Sequence, residues 1–332
     1  MSKTMMNRTM GNAVIDYDLL AKEIRALDES GIEVVRNEPL ASYTTWRIGG
    51  PAALLVGLDI AALPTLEIIR EVLKQCAASG APVFIMGGGS NLLVPDEGFD
   101  GVVLCLRAPA SVGTIEPGDH DAAVHVNADT RLRDIVAYGV EHGLTGVERL
   151  AGIPGTLGGA LAMNAGTATH FIDELVHDVT IISLPHAEIR TLTRDEIVWS
   201  YRSSSLRDTA LILSAQLHFA AREDPAELRA RIADAHAQRA HTQPLNLPNA
   251  GSVFRNPAGE SAGRLIEAVE LKGTTCGGAQ ISDVHANFIV NRGGATAADV
   301  LELIELVQRR VAQEYGVELQ TEVRVLGAQA PR

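Results

Sequence analysis

The chain has 332 residues, of which 46% are hydrophobic and 21% are charged, so it can build two hydrophobic cores and is too apolar for a disordered protein. Its 41 acidic residues outnumber the 28 basic ones and give a net charge of −13, which argues against a general nucleic-acid binder because phosphate backbones need a basic surface. The three cysteines lack CxxC spacing, which indicates neither a disulfide framework nor a metal site and fits a reducing cytoplasm.

The first part of the chain alternates predicted helices and strands. Residues 1 to about 15 are predicted to be a disordered tail, and apolar residues at helical spacing follow at positions 19–27. A second helix is predicted from Ala61 to the glycine at position 80, and a third over 130–141. Short apolar runs predict strands over 82–86 and 101–106. This alternation is typical of an α/β unit.

A second pattern begins after residue 172. Three apolar runs, over 175–184, 188–192 and 210–219, predict an antiparallel meander. A helix over 225–240 follows, so we place a domain boundary near 218–224. The last third predicts a strand over 287–291, a helix opened by a capping-box variant of Thr296 and Asp299, and a terminal strand over 317–327.

Two glycine-rich segments carry the clearest ligand signal. Residues 87–91 read GGGSN directly after a predicted strand, and residues 152–159 read GIPGTLGG. Glycines let backbone N–H groups approach one another and form a nest for a pyrophosphate, although either segment alone could equally be a strained turn. The charge-free stretch 150–172 contains too many glycines for a membrane span and is predicted to be a buried or ligand-facing loop. The dinucleotide GxGxxG and P-loop motifs are absent.

A third polar segment, residues 249–257, reads NAGSVFRNP. It offers a hydroxyl, a guanidinium and an amide within five residues, which is typical of a site loop. Ser252 does not lie in a GxSxG elbow, so a Ser-His-Asp hydrolase is disfavoured. The alternative is a turn stabilised by serine and asparagine side chains.

Eight segments occur in an order that resembles the UDP-N-acetylenolpyruvoylglucosamine reductase family. They are TWRIGGP (45–51), MGGGSNLLVPDEGFDG (86–101), GIPGTLGGALAMNAGT (152–167), SYRS (200–203), QPLNLPNAGSVFRNP (243–257), AGRLIEAVELKG (262–273), GGAQISDVHANFIVN (277–291) and TEVRVLG (321–327). The resemblance covers residues 41 to 328. It implies an α+β protein with an FAD-binding fold of the vanillyl-alcohol-oxidase (PCMH) type and a C-terminal α/β substrate-binding domain.

The resemblance also implies domain limits and a reaction. Residues 1–40 would form an N-terminal tail and helix, 41–220 the FAD-binding domain with subdomains 41–106 and 107–220, and 221–328 the substrate-binding domain. A cytoplasmic enzyme of this family uses NADPH to reduce non-covalently bound FAD. The flavin then passes a hydride to the enolpyruvyl group of UDP-N-acetylglucosamine enolpyruvate, which gives UDP-N-acetylmuramate for peptidoglycan synthesis.

Three residues match the family's catalytic positions. Ser252 corresponds to the proton donor to the α-carbon, Arg202 to the arginine that acts on the substrate carboxylate, and Glu322 to the third catalytic residue. A guanidinium can bind a carboxylate through two parallel hydrogen bonds, so Arg202→Lys would not be conservative. The alternatives are surface salt bridges for Arg202 and Glu322 and a turn for Ser252.

Further contacts follow from the same resemblance. The predicted FAD contacts are Arg47, Ile48, Gly49, Gly50, Gly87, Gly88, Gly89, Ser90, Asn91, Ile153, Pro154, Gly155, Thr156, Gly158, Gly159, Asn164 and Gly166. They are expected to act mostly through backbone N–H groups. The predicted substrate contacts are Tyr201, Asn256, Gln280 and His285, of which His285 could equally be a solvated loop histidine.

The chain departs from the family pattern twice. The short spacing from Arg202 to Asn249 leaves no tyrosine-bearing insert, as in the family's second type, and residues 167–171 read TATHF where many members have AYGG. Two other functions stay open. One is an oxidase of the same fold, with Cys105 or a histidine attached covalently to flavin, and the other is a non-catalytic protein that senses FAD or a nucleotide sugar.

Overall fold

The computed structural model describes residues 15–28, 30–60, 62–63, 65–107, 115–117, 122–167 and 169–327. The expected N-terminal tail up to residue 14, the expected helix start at Ala61 and the domain limit at 328 lie outside these residues. Within them, no helix is both long and apolar enough to cross a membrane.

The first structural unit is a four-stranded sheet with two helices on one face. Its elements are α1 (Tyr17–Arg25), β1 (Ile32–Pro39), β2 (Pro51–Asp59), α2 (Glu67–Ser79), β3 (Val83–Met86), β4 (Leu92–Leu93) and β5 (Phe99–Arg107). The strand order is β1-β2-β5-β3, with β1 antiparallel to β2 and the other pairs parallel. Apolar faces of both helices bury Leu20, Ile24, Ile69 and Val72 against the sheet.

Strands β1 and β2 were not predicted from the sequence. β1 falls within the segment assigned to an N-terminal tail and helix, yet it pairs with β2 along most of its length. The domain limits themselves stay predictions.

The second unit is a five-stranded antiparallel sheet with helices on one face. It comprises β6 (Ile115–Pro117), β7 (Ala123–Asn127), α3 (Leu132–Glu141), α4 (Leu157–Ala162), β8 (Val176–Ser183), β9 (Ile189–Thr193), the short hairpin β10 (Trp199–Ser200) and β11 (Ser203–Ser204), and β12 (Ala210–His218). The order in the five-stranded sheet is β6-β7-β12-β8-β9. The other face packs against the first unit through Ile182, Leu211 and Leu213.

Two predictions for this unit were wrong in part. The three strands are antiparallel as expected, but β12 returns beside β8 rather than β9, so they do not form a simple meander. The stretch 150–172 is not only loop, because it contains α4, whose N-cap Thr156 accepts a hydrogen bond from the Gly159 amide. The side-chain cap and the burial of Leu157 and Leu161 offset the low helix propensity of its glycines.

Helix α5 (Pro225–Thr242) follows β12 and packs on the second unit, because Leu228 and Ile232 are buried in the core of that unit. The boundary expected near 218–224 stays a prediction. The third unit contains α6 (Ala262–Ala268), the antiparallel strands β13 (Thr275–Cys276), β14 (Ala279–Ile281) and β15 (Ile289–Asn291), α7 (Ala297–Tyr315) and β16 (Arg324–Val325). The predicted capping box of Thr296 and Asp299 opens α7.

The third unit is joined to the first through a shared core. Trp46 and Ile48 are buried among α6, α7 and the small sheet, and the Trp46 indole N–H donates to the Ile289 carbonyl at 2.7 Å. The predicted terminal strand is much shorter than expected, because only Arg324 and Val325 pair, in parallel with β4. Residues 320–323 instead bind the loop that contains Ser252.

Candidate active site

Two glycine loops meet between the first and second units. We define the first glycine loop as residues 87–91, after β3, and the second glycine loop as residues 152–159, before and into α4. A Cβ atom on Gly88 would lie 2.9 Å from the Gly155 Cα, and one on Gly87 would lie 2.8 Å from the Thr156 Oγ1. The Ser90 hydroxyl donates to the Pro154 carbonyl at 3.3 Å. Glycine is required because the two backbones touch here.

Several backbone N–H groups of the two glycine loops have no hydrogen-bond acceptor among the described residues. Within the described residues, the amides of 87–91, Gly155 and Thr156 donate to no protein acceptor. Other predicted donors are already engaged: the Ile153 amide donates to Leu150 and the Gly158 amide to Ala128, at 3.2 and 2.8 Å. The Gly159 amide donates to the Thr156 side chain at 3.4 Å. The backbone donors of the two glycine loops that remain available to an anion therefore include those of 87–91, Gly155 and Thr156.

A cleft extends from the glycine loops between the two sheets, and we call it the inter-sheet cleft. Its apolar walls come from β3 and β12, and its polar lining residues are Asp129, Thr156, Arg207, Asp208 and Arg324. The guanidinium of Arg324 bonds to Asp208 at 2.7 Å and lies over the Phe84 ring at 5.4 Å. Free amides beside a partly apolar cleft fit a dinucleotide such as FAD, with its pyrophosphate on the amides.

Arg202 and Glu322 come together although 120 positions separate them in the sequence. The Arg202 Nε lies 2.9 Å from a Glu322 carboxylate oxygen, and both side chains are mostly buried. The Nε–H is not aligned with that oxygen and has no hydrogen-bond partner among the described residues. The contact is therefore an ion pair that leaves hydrogen-bonding capacity unused.

Several contacts hold the Arg202 side chain and the turn around it. The backbone of Arg202 has a left-handed φ of 57°. One Arg202 terminal nitrogen donates to the Gly166 carbonyl at 2.7 Å, and the guanidinium carbon lies 5.5 and 5.9 Å from the ring centroids of Tyr201 and Phe171. The buried Asn164 amide donates to the Ser200 carbonyl at 3.2 Å. A non-glycine residue with positive φ persists only where its surroundings hold it, so this turn is built to aim Arg202.

Ser252 and Glu322 lie on neighbouring backbone segments. The Glu322 amide donates to the Val253 carbonyl at 2.7 Å, and the Glu322 carbonyl accepts from the Asn91 side chain at 3.1 Å. The first of these bonds ties Glu322 to the loop that contains Ser252, and the second ties it to the first glycine loop. Asn249 shapes that Ser252 loop, because its side-chain oxygen accepts from the Gly251 amide at 2.9 Å.

Burial controls the charge of Glu322. Removal from water raises the pKa of the Glu322 carboxyl, and the guanidinium groups of Arg202 and Arg255 offset only part of that rise. A carboxyl with a raised pKa holds its proton to higher pH than an ordinary glutamate. Glu322 can therefore hold or release a proton at this site.

Several residues predicted to contact the cofactor instead pack against or bond to other protein groups. The Gly50 amide donates to the Pro95 carbonyl at 2.9 Å, and a Cβ on Gly50 would lie 2.1 Å from the Asp96 carbonyl oxygen. Gly49 packs on Val94, Ile48 is a core side chain, and the Arg47 side chain is exposed. Both ends of the Asn164 amide are occupied by protein groups. Their predicted contacts with FAD remain untested.

The predicted substrate contacts divide into two groups. Tyr201 and Asn256 are exposed and can reach a ligand, although the Asn256 side-chain oxygen already accepts from the Ala262 amide at 3.0 Å. Gln280 is buried, donates to the Gly273 carbonyl at 3.1 Å and accepts from Arg292 at 2.7 Å. His285 accepts from the Asn287 amide at 3.1 Å, and burial lowers its pKa. The last two residues are engaged within the third unit.

Sequence reasoning missed one charged group near the site, Asp129, and gave no specific role to Arg255, the guanidinium of the NAGSVFRNP segment. The acid Asp129 lies two positions after the end of β7 and lines the inter-sheet cleft. Arg255 lies close enough to Glu322 to lower the pKa of its carboxyl. No predicted strand directly precedes Asp129, so no local pattern indicated it, whereas the position of Arg255 inside the NAGSVFRNP segment was the available signal for that residue.

The structure does not favour Cys105 as a covalent flavin attachment. Its side chain is buried in the core of the first unit, next to Leu55 and Val103. Burial raises the pKa of the Cys105 thiol to about 12, so the reactive thiolate is scarce at neutral pH.

Comparison with known proteins gives a consistent result. Residues 60–193 match the family model of an FAD binding domain, and residues 243–326 match that of the UDP-N-acetylenolpyruvoylglucosamine reductase C-terminal domain. A reductase of that name from Synechococcus sp. (strain WH7803) is 42% identical over 93% of this chain and 97% of its own, and one from Moorella thermoacetica is 43% identical over 89% and 94%.

A solved structure agrees with these relatives. The crystal structure of UDP-N-acetylenolpyruvylglucosamine reductase from Thermus caldophilus has a TM-score of 0.72 and 35% identity, and covers 89% of this chain and 99% of that one. This similarity supports the FAD-binding fold with an added C-terminal domain. Since the identity extends over nearly the whole chain, the protein belongs to the UDP-N-acetylenolpyruvoylglucosamine reductase family.

Proposed function

We propose that this protein is the FAD-dependent, NADPH-consuming enzyme that reduces UDP-N-acetylglucosamine enolpyruvate to UDP-N-acetylmuramate for peptidoglycan synthesis. The observation that carries the proposal is the Arg202–Glu322 ion pair, tied through the backbone to both the Ser252 loop and the first glycine loop. Family membership supplies the substrate, and this connection supports a position of the three proposed catalytic residues beside the cofactor cleft.

The cofactor would be held by backbone amides. The amides of 87–91, Gly155 and Thr156 would bind the pyrophosphate, since they have no protein acceptor among the described residues. When bound, FAD supplies the hydride chemistry, with NADPH as reductant and the enolpyruvyl β-carbon as acceptor. The remaining roles belong to the protein side chains.

Arg202 would bind the substrate carboxylate. Reduction at the β-carbon leaves negative charge over the α-carbon and the carboxylate, and a guanidinium aimed at this group stabilises that charge as it develops. The Gly166 carbonyl and the Tyr201 and Phe171 rings hold the guanidinium in place. Because it is oriented before substrate arrives, little reorganisation is needed during the reaction.

Ser252 would deliver the proton to the α-carbon. A serine hydroxyl is a weak acid, so its proton transfer needs a group that stabilises or reprotonates the oxygen. Glu322 lies on the adjacent backbone segment and has a raised pKa, so its carboxyl would take part in proton transfer to Ser252 directly or through a water molecule.

Tyr201 and Asn256 would contact the substrate outside the reacting group, with Gln280 and His285 shaping the surrounding wall. We place the enzyme in the cytoplasm, because its three cysteines are free thiols and its proposed reductant is NADPH. Its partners would be this small UDP-sugar and its cofactors, without nucleic acid.

A product assay tests this proposal. Purified protein reconstituted with FAD is incubated with NADPH and UDP-N-acetylglucosamine enolpyruvate, and the product is identified by mass spectrometry. We expect one molecule of UDP-N-acetylmuramate for each NADPH oxidised. NADPH oxidation that depends on oxygen and forms no UDP-N-acetylmuramate would favour the oxidase alternative.

A further inference from the structure

An acidic side chain lies in the inter-sheet cleft where the mechanism gives it no role. Asp129 lines the cleft together with Gly87, Thr156 and Gly158. The backbone on either side is fixed, because the Ala128 and Thr130 carbonyls accept from the Gly158 and Leu157 amides at 2.8 Å each. These bonds attach the segment 128–130 to the second glycine loop and hold the Asp129 side chain beside it.

One oxygen of the Asp129 carboxylate has no donor in the described protein. The Asp129 Oδ1 is buried and has no hydrogen-bond partner among the described residues, and the same holds for the neighbouring Thr130 Oγ1. Burial is the main cause of the raised pKa of Asp129; a hydrogen bond from its own backbone offsets part of that rise, and Asp59 adds a smaller increase. A buried acceptor without a donor destabilises a folded protein, so a ligand that donates to it would relieve that cost.

The surroundings limit the chemistry of such a ligand. A phosphate group placed against a carboxylate would be repelled, and the free amides of 87–91 already offer the place for phosphates. The cations of the cleft, Arg207 and Arg324, leave the Asp129 oxygen unpaired. The matching group is a neutral hydrogen-bond donor that lies next to a phosphate, and in a flavin dinucleotide the ribityl chain and the ribose both carry such hydroxyls.

We propose that Asp129 binds sugar hydroxyls of FAD through its unpaired carboxylate oxygen and thereby contributes to cofactor affinity. A carboxylate accepts from a diol in the same way when the acidic residue of a dinucleotide-binding fold binds a ribose hydroxyl. The proposal rests on the proposed function, because it takes FAD as the cofactor.

The proposal predicts opposite effects of one substitution on two properties. Asp129→Ala removes an unsatisfied buried acid, so the FAD-free protein should become more heat-stable, by about 2 °C or more. It also removes the acceptor for the hydroxyls, so the Kd for FAD should rise about tenfold or more. A purely structural aspartate would give a lower melting temperature without FAD.

The experiment uses the full chain stripped of flavin. Melting temperatures are measured without ligand, and the Kd for FAD is measured by the quenching of flavin fluorescence. Asp129→Asn, which keeps an acceptor of the same size, should lose less affinity than Asp129→Ala and covers the case in which the alanine variant fails to fold. Asp134→Asn, on α3 outside the cleft, is the matched control and should leave the Kd unchanged.

Binding of FMN and of ADP shows which hydroxyls of FAD contact Asp129. If the ribityl chain is the partner, Asp129→Ala weakens FMN as much as FAD; if the ribose is the partner, it weakens ADP as a competitor of FAD and spares FMN. Unchanged FAD affinity in Asp129→Ala, while the wild-type protein binds FAD, overturns the inference alone. A wild-type protein that binds no FAD overturns the proposed function as well.

Discussion

The inter-sheet cleft and the Arg202–Glu322 ion pair are neighbours, but they are built by different means. At the glycine loops the proposed binding groups are backbone amides, and glycine is needed because two main chains come within contact distance. At the ion pair the functional groups are charged side chains from segments far apart in the sequence, and surrounding carbonyls and rings hold them.

This difference separates binding from chemistry. Substitution of a catalytic side chain removes a reacting group but leaves the backbone donors of the cleft in place. Substitution of a glycine separates the two loops and alters cofactor binding before it affects any reacting group. Cofactor binding and the chemical steps can therefore be tested independently.

The largest effect is expected for Ser252→Ala. Loss of the proton donor should slow the reaction of the reduced enzyme with substrate by about a thousandfold. Reduction of the bound flavin by NADPH should stay almost unchanged, because Ser252 acts only in the second step. Anaerobic rapid mixing measures each step, and equal losses in both would contradict the assigned role.

A smaller effect is expected for Arg202→Lys, about a hundredfold on the same step. A lysine cannot contact the Gly166 carbonyl, Glu322 and a substrate carboxylate together. Flavin reduction by NADPH is the internal reference. Arg194→Lys, at a surface arginine that pairs with Asp173, is the matched control, and a similar loss in that variant would argue for a general structural effect.

Glu322→Gln tests the charge of the buried carboxyl. The raised pKa of Glu322 means that its protonated form is lost only as the pH rises beyond the usual range of ~4.3. The rate of the substrate step should fall as pH rises through that pKa, and Glu322→Gln should lose this limb of the profile and about tenfold in rate.

The pH dependence of folding stability gives a second test of Glu322. Because its pKa is raised in the folded state, its favourable contribution to stability is present at low pH and is lost as the pH rises. Glu322→Gln should flatten that part of the stability profile while FAD binding is kept. A colourless purified variant would indicate a structural role in the cofactor site instead.

The smallest expected effect is on FAD affinity in Gly88→Ala. The added methyl would lie 2.9 Å from the Gly155 Cα, so the loops must separate, and we expect the Kd for FAD to rise about tenfold. Gly316→Ala, at a left-handed position in open space after α7, should lower stability without changing the Kd. Equal Kd values for Gly88→Ala and wild type would show that the loops do not need close contact.

Local patterns predicted the elements that depend on local interactions. The cap of α7 was predicted from Thr296 and Asp299, which are three residues apart and bond to each other. The position of β12 beside β8 depends on pairing between distant segments, and the spacing of apolar residues does not specify the neighbour of a strand. Helix α4 was missed because burial and its Thr156 cap outweigh the low helix propensity of glycine.

The candidate site was predictable to a similar extent. The glycine loops were predicted as a pyrophosphate nest from composition, and the resemblance supplied Arg202, Ser252 and Glu322. Gly50, Asn164 and Gln280 show what the sequence could not reveal, since their partners Pro95, Ser200 and Arg292 are specified only by the folded chain. Asp129 was missed for the same reason.

The most direct test of the account is an anaerobic visible spectrum of the FAD-loaded protein, taken before NADPH, after NADPH, and after UDP-N-acetylglucosamine enolpyruvate. We predict a yellow protein that bleaches with NADPH and regains its colour when this substrate is added without oxygen. A protein that stays bleached until oxygen is admitted, or that cannot be loaded with FAD, would contradict the account.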